Sequence, residues 1–71
     1  MVKEAFTALH LAASMNQMPI VEYLIEAAGA EVDAKSKDSS TPLTVAVTAG
    51  HLDIVKYLVN KGADIENLRV F

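Results

Sequence analysis

A chain of 71 residues with 52% hydrophobic and 21% charged side chains has room for one small domain and is too apolar for intrinsic disorder. Six basic against nine acidic residues give a net charge of -3, so no basic stripe is available to meet a nucleic-acid backbone. The lack of cysteine excludes a disulfide framework and a cysteine-based zinc site, and no apolar run approaches the ~18 residues of a membrane span.

The N-terminal Met1-Val2-Lys3-Glu4 lacks the apolar stretch of a signal peptide, so the expected location is cytoplasmic, with the nucleus as the alternative. A first helix is predicted from Ala8 to Met15. Thr7 stands at its N-cap, where a hydroxyl accepts a backbone N–H, and Asn16 stops it in a left-handed conformation. A second helix is predicted from Met18 to Ala27, with Pro19 in its first turn and Ile20, Val21, Leu24 and Ile25 on one apolar face. Gly29 ends it. The polar stretch Ala30 to Ser40 keeps a set distance from the flanking helices, which argues for a shaped turn over a flexible linker. A third helix runs from Pro42 to Ala49, capped by Thr41, opened by a proline whose missing N–H costs nothing there, and stopped by Gly50. A fourth runs from Leu52 to Lys61 before Gly62, with Ile54, Val55, Leu58 and Val59 on its apolar face. Helices this short do not persist alone in water and must pack on one another.

The second half of the chain repeats the first. At a shift of 34 residues Thr7 falls on Thr41, Leu9 on Leu43, Ala12 on Ala46, Ile20-Val21 on Ile54-Val55, and Tyr23-Leu24 on Tyr57-Leu58. Beyond Ala27 the shift drops to 33, and Gly29-Ala30-Glu31-Val32 matches Gly62-Ala63-Asp64-Ile65. One extra residue, most simply Ala28, sits ahead of Gly29. Repetition at this period points to a stack of helical units, each unable to bury its apolar face alone.

At these residues the chain resembles the ankyrin-repeat family. Thr41-Pro42-Leu43 with Ala46, Gly50-His51-Leu52-Asp53-Ile54-Val55 and Gly62-Ala63-Asp64 follow the family pattern in order and spacing. Thr7-Ala8-Leu9-His10-Leu11-Ala12-Ala13 does so in the first unit. The resemblance implies an all-α solenoid of two helix-turn-helix units with short β-hairpin-like fingers, one of them complete around Ala34 to Ser40. It makes residues 1–71 a single domain, with repeat 1 over about 5–37 and repeat 2 over about 38–71. The chain departs from the pattern at Ser39, where the finger normally has Gly, at Thr44, where His is usual, and at Asn16-Gln17, which replaces Gly-His. The apolar ends and the count of two units suggest a fragment of a longer array, or a minimal protein covered by a partner.

The function the resemblance implies is protein–protein interaction through the finger tips and the concave face of the first helices. Carried over residue by residue, the partner-binding positions are Lys3, Glu4, Phe6, Lys37, Asp38 and Ser40 in the fingers. Ser14, Met15, Thr48 and Ala49 on the first helices and Lys61 after the second unit complete the set. The expected partner is another protein, with no nucleic acid and no membrane insertion, and self-association through uncapped ends is a further expectation. The alternatives are spacer repeats that touch no partner, or a small effector-like protein seated on another repeat protein. In the family, the His10 position bonds within and between units and the His51 position bonds the backbone of the neighbouring finger, which gives both a structural role. Tyr23 and Tyr57 are expected to stack along the convex back with hydroxyls in water. Glu22 and Glu26 share an i,i+4 face and read as solvated charge. No glycine-rich phosphate loop, HExxH or CxxC motif occurs, and neither enzymatic activity nor a cofactor is expected.

Overall fold

The computed structural model describes residues 7–37 and 39–65. The predicted helices form there as α1 (Ala8–Ser14), α2 (Met18–Glu26), α3 (Pro42–Ala49) and α4 (Leu52–Asn60). Helix α1 packs on α2 and on α3, α3 packs on α4, and α2 touches α4. One layer therefore holds α1 and α3, the other α2 and α4, and the two units stack side by side.

Local chemistry sets the helix starts. Thr7 Oγ1 accepts from the backbone N–H of Leu9 (3.1 Å) and His10 (3.3 Å), and Thr41 Oγ1 accepts from Thr44 N–H (3.3 Å). Both caps are reciprocal: Thr7 N–H donates to His10 Nδ1 at 3.1 Å, and Thr41 N–H donates to Thr44 Oγ1 at 2.9 Å. The departure at Thr44 therefore keeps the cap while losing the ring. The ends of α1 and α3 also match. Asn16 (φ 59°) and Gly50 (φ 80°) are left-handed, and the following residue closes back five positions, Gln17 N–H to the Ala12 carbonyl and His51 N–H to the Ala46 carbonyl, both 3.0 Å. No atom lies within 4 Å of a Cβ built on Gly50, so its need for glycine comes from the backbone angle alone.

The change of shift has a visible cause. After α4, Ala63 N–H closes on the Leu58 carbonyl five residues back at 3.0 Å. After α2 the equivalent bond, Ala30 N–H to the Leu24 carbonyl at 2.8 Å, spans six. The extra alanine is absorbed as one added residue in the turn, and the same pair of positions is still joined.

The core is made of Leu9, Ala12, Ala13, Val21, Leu43, Ala46, Ile54, Leu58 and Ala63. Its alanines let the short helices approach closely, and its larger side chains each contribute on the order of 1.5–3 kcal/mol by leaving water. Leu24, Ile25 and Val55 pack against it half-buried.

The expected hairpin-like finger does not form: there is no β-strand among the described residues. Ser36, Ser39 and Ser40 close on one another in a turn instead. Ser36 N–H donates to the Ser40 carbonyl (2.8 Å), Ser39 N–H to the Ser36 carbonyl (2.9 Å) and Ser40 N–H to Ser36 Oγ (3.2 Å). A second strand has no donors to continue on. Thr41 N–H is held in the cap of α3, Pro42 has no N–H, and the helix begins there. Ser39 sits at φ 71°, the left-handed geometry for which the family uses glycine.

Candidate functional site

The stacked register places Ser14 and Met15 at the C-terminal end of α1 and Thr48 and Ala49 at the same end of α3, the helix beside it. Met15 is 58% exposed, and Thr48 and Ala49 are also exposed. Ser14 is half-buried: its hydroxyl donates to the Leu11 carbonyl at 2.9 Å, and its own carbonyl accepts from His51 Nε2–H at 3.1 Å. His51 thus bonds a helix end, in place of the finger backbone that the resemblance implied. Asn16, Gly50, His51, Leu52 and Asp53 line a shallow cleft of about 250 Å³ beside this end.

Lys37 is exposed on the 36–40 turn. Ser40 is half-buried, and both its backbone groups are engaged, so it shapes the turn more than it offers a contact. Lys3, Glu4, Phe6 and Asp38 lie outside the described residues. Lys61 is separate from the strip, on the α2–α4 side. Its ammonium sits 3.3 Å from Glu26 and 5.6 Å from the Tyr57 ring centre.

His10 ties the units together. A backbone N–H can only donate, so the bond from Thr7 N–H leaves His10 Nδ1 without a proton. The proton is then on Nε2, which donates to the Ser40 carbonyl across the seam at 2.8 Å. Every described, buried side-chain nitrogen and oxygen has a partner, and no three described His, Asp or Glu side chains converge in metal-binding geometry. No helix among the described residues is long and apolar enough to cross a membrane.

A further cluster escaped the sequence reading. Tyr57 donates its hydroxyl to Glu26, joining α4 to α2, and Lys61 pairs with the same carboxylate. Tyr23, its repeat equivalent, is 64% exposed. Of the two hydroxyls expected to reach water, that of Tyr57 is bonded to Glu26 and Tyr23 stands exposed. The Tyr57 hydroxyl and the Lys61 ammonium hold the Glu26 carboxyl below its ordinary value. Partial burial, and then the Glu26 carboxylate, push the Tyr57 phenol up to about 12. The repeat predicts that the Tyr57 helix stacks on the one that carries Glu22 and Glu26, but does not choose between the two carboxylates.

A family model described as "Ankyrin repeats (3 copies)" matches residues 2–68. Alpha-latrocrustotoxin-Lt1a of Latrodectus tredecimguttatus is 41% identical over 66 residues, 86% of this chain and 5% of the toxin. The Drosophila melanogaster ankyrin repeat and KH domain-containing protein mask is 42% identical over 57 residues, 80% of this chain and 1% of that protein. Human ankyrin repeat domain-containing protein 49 is 36% identical over 70 residues, 99% of this chain and 29% of that protein. The chain thus spans less than a third of the length of each of these relatives.

Proposed function

Because the chain belongs to the ankyrin-repeat family, we propose that it is a protein-interaction module whose partner lies along the C-terminal ends of α1 and α3 and the 36–40 turn. The observation that carries this reading is Met15, a large apolar side chain left 58% exposed beside small, exposed neighbours at the equivalent end of α3. An exposed thioether at the end of α1, with Thr48 and Ala49 exposed at the same end of the adjacent α3, gives an adaptable apolar contact with polar edges, the composition of an interface centre. Lys37 adds a cation beyond it. The rigid caps of both helices mean that little order has to be gained on binding. The matching segment also recurs inside proteins with names as unlike as a toxin and a KH-domain protein, which suits a module that supplies contact to different wholes. Of the positions that the resemblance marks and the structure describes, Met15, Lys37, Thr48 and Ala49 are the contact residues proposed, while Ser14 and Ser40 are engaged within the fold and Lys61 pairs with Glu26.

The test is site-specific photo-crosslinking in cells, with a benzophenone side chain at Met15 or, for comparison, at Glu22 on the exposed side of α2. The proposal expects a discrete adduct with another protein from position 15, weakened by Thr48→Arg, and none from position 22. Adducts from position 22 alone, or from neither, would contradict it, and the second result would favour spacer repeats.

A further inference from the structure

Asn16 stands where the family has glycine, and the contact strip gives it no role. It holds the left-handed angle after α1, at φ 59°, and adds a carboxamide where Gly50, at φ 80° after α3, has no side chain. These two loops lie side by side across the seam, and with His51, Leu52 and Asp53 they line the cleft of about 250 Å³. Its walls come from both units, and the bond from His51 Nε2–H to the Ser14 carbonyl at 3.1 Å ties them together. Each loop is also locked by its closing bond, to Ala12 in one unit and Ala46 in the other, so the cleft is preformed. Its lining is rich in acceptors. Asp53 is the one acidic residue in it, and no lysine or arginine lines it. The Asp53 carboxylate and the Asn16 carboxamide are exposed and have no partner among the described residues. His51, with its Nε2 proton committed to Ser14, keeps Nδ1 of the neutral ring as an acceptor. The start of α4 also lies here, and its dipole is equivalent to about half a positive charge. Asp53, in the first turn, brings a full negative charge and sets the sign.

We infer that this cleft is a binding site for an arginine side chain of a partner protein, with the guanidinium held by Asp53, Asn16 and His51. Its size fits one long side chain, since about 250 Å³ lies below the ~300–1,000 Å³ of small-molecule pockets. Its charge calls for a cation. Among cations the guanidinium matches best, because it spreads five N–H donors over a rigid planar fork and sheds water more readily than an ammonium. Three side chains with unused acceptors, one of them an aromatic ring, suit that fork. Leu52 supplies an apolar wall for the methylene stem. The inference does not rest on the Met15 strip, because none of the strip's residues lines the cleft.

The probe is the blocked tripeptide acetyl-Ala-Arg-Ala-amide, titrated to about 10 mM against the isotope-labelled 71-residue chain and followed by its amide chemical shifts in NMR. One exposed ion pair is weak, so the dissociation constant is expected near about 1 mM. The saturable shifts should centre on Asn16 and residues 50–53. The citrulline counterpart, of the same shape without the charge, should cause none. Asp53→Asn should weaken the arginine probe about twofold to fivefold. Asn16→Gly, which restores the residue that a left-handed angle favours, should weaken it too while keeping the fold. Far-UV circular dichroism checks the helices of both variants. No saturable shift, shifts centred elsewhere, equal binding of the citrulline peptide, or an unchanged affinity in either variant would each overturn the inference. A glutamate counterpart that binds as tightly would assign the cleft to an anion at the start of α4 and overturn it as well.

Discussion

Ser39 is a non-glycine residue held at φ 71° by the bonds that close the 36–40 turn. A Cβ in that region costs roughly 1–2 kcal/mol against the neighbouring carbonyl. Ser39→Gly should relieve it, less what glycine adds to the freedom of the unfolded chain, for a net gain of about 0.5–1 kcal/mol. The check is the urea midpoint at fixed protein concentration, where a lower midpoint with an unchanged slope would refute the account. The left-handed angle was legible in the sequence because the family's glycine marks it, and the stops at Asn16 and Gly50 were legible for the same local reason. The hairpin was carried over from the family resemblance, although the two features that leave a second strand without donors, the Thr41 cap and Pro42, stand in the sequence. The partner of His51 was missed because a tertiary bond to the Ser14 carbonyl leaves no local trace.

The four helices were readable almost to the residue, their signals being caps, stops and an apolar period that act within one turn. What joins α2 to α4 was not, because Glu26 and Glu22 look alike in the sequence and only stacking brings Tyr57 to one of them. That bridge predicts a pH dependence on both sides. Glu26 has a lowered folded value, so its contribution is present above the ordinary carboxylate range and fades as the pH falls through that range. Tyr57 is raised from an ordinary value near 10 to about 12, so the unfolded chain gives up its proton first. Its contribution is complete below about 10 and is lost as the pH rises through about 12. The difference in melting temperature between the parent and Tyr57→Phe should therefore shrink across that alkaline window. A difference that stays constant there would show that the phenol is not coupled to folding through Glu26.

Among the described residues two copies of one unit meet at one seam, and the contrast in burial between Ile20 and Ile54 follows from it. The candidate contact strip was legible only as far as the repeat carries it: exposure separates Met15, Thr48 and Ala49 from the half-buried Ser14 and Ser40, and Lys61, though exposed, is paired with Glu26 on the other layer. Burial itself was not legible, because Ile20 and Ile54 sit in matching sequence and differ only in what lies beside them. A domain this small has little reserve, since the entropy of ordering nearly cancels its apolar gain. The loss of one buried side chain should therefore be conspicuous. The most direct test is the pair Ile20→Ala and Ile54→Ala, the same substitution at equivalent sites, compared by urea unfolding at a concentration low enough to keep the chain monomeric. Ile54→Ala should cost about 2–5 kcal/mol, enough to abolish the cooperative transition, and Ile20→Ala well under about 1 kcal/mol. Equal losses, or the larger loss at Ile20, would contradict a single covered seam between the two units.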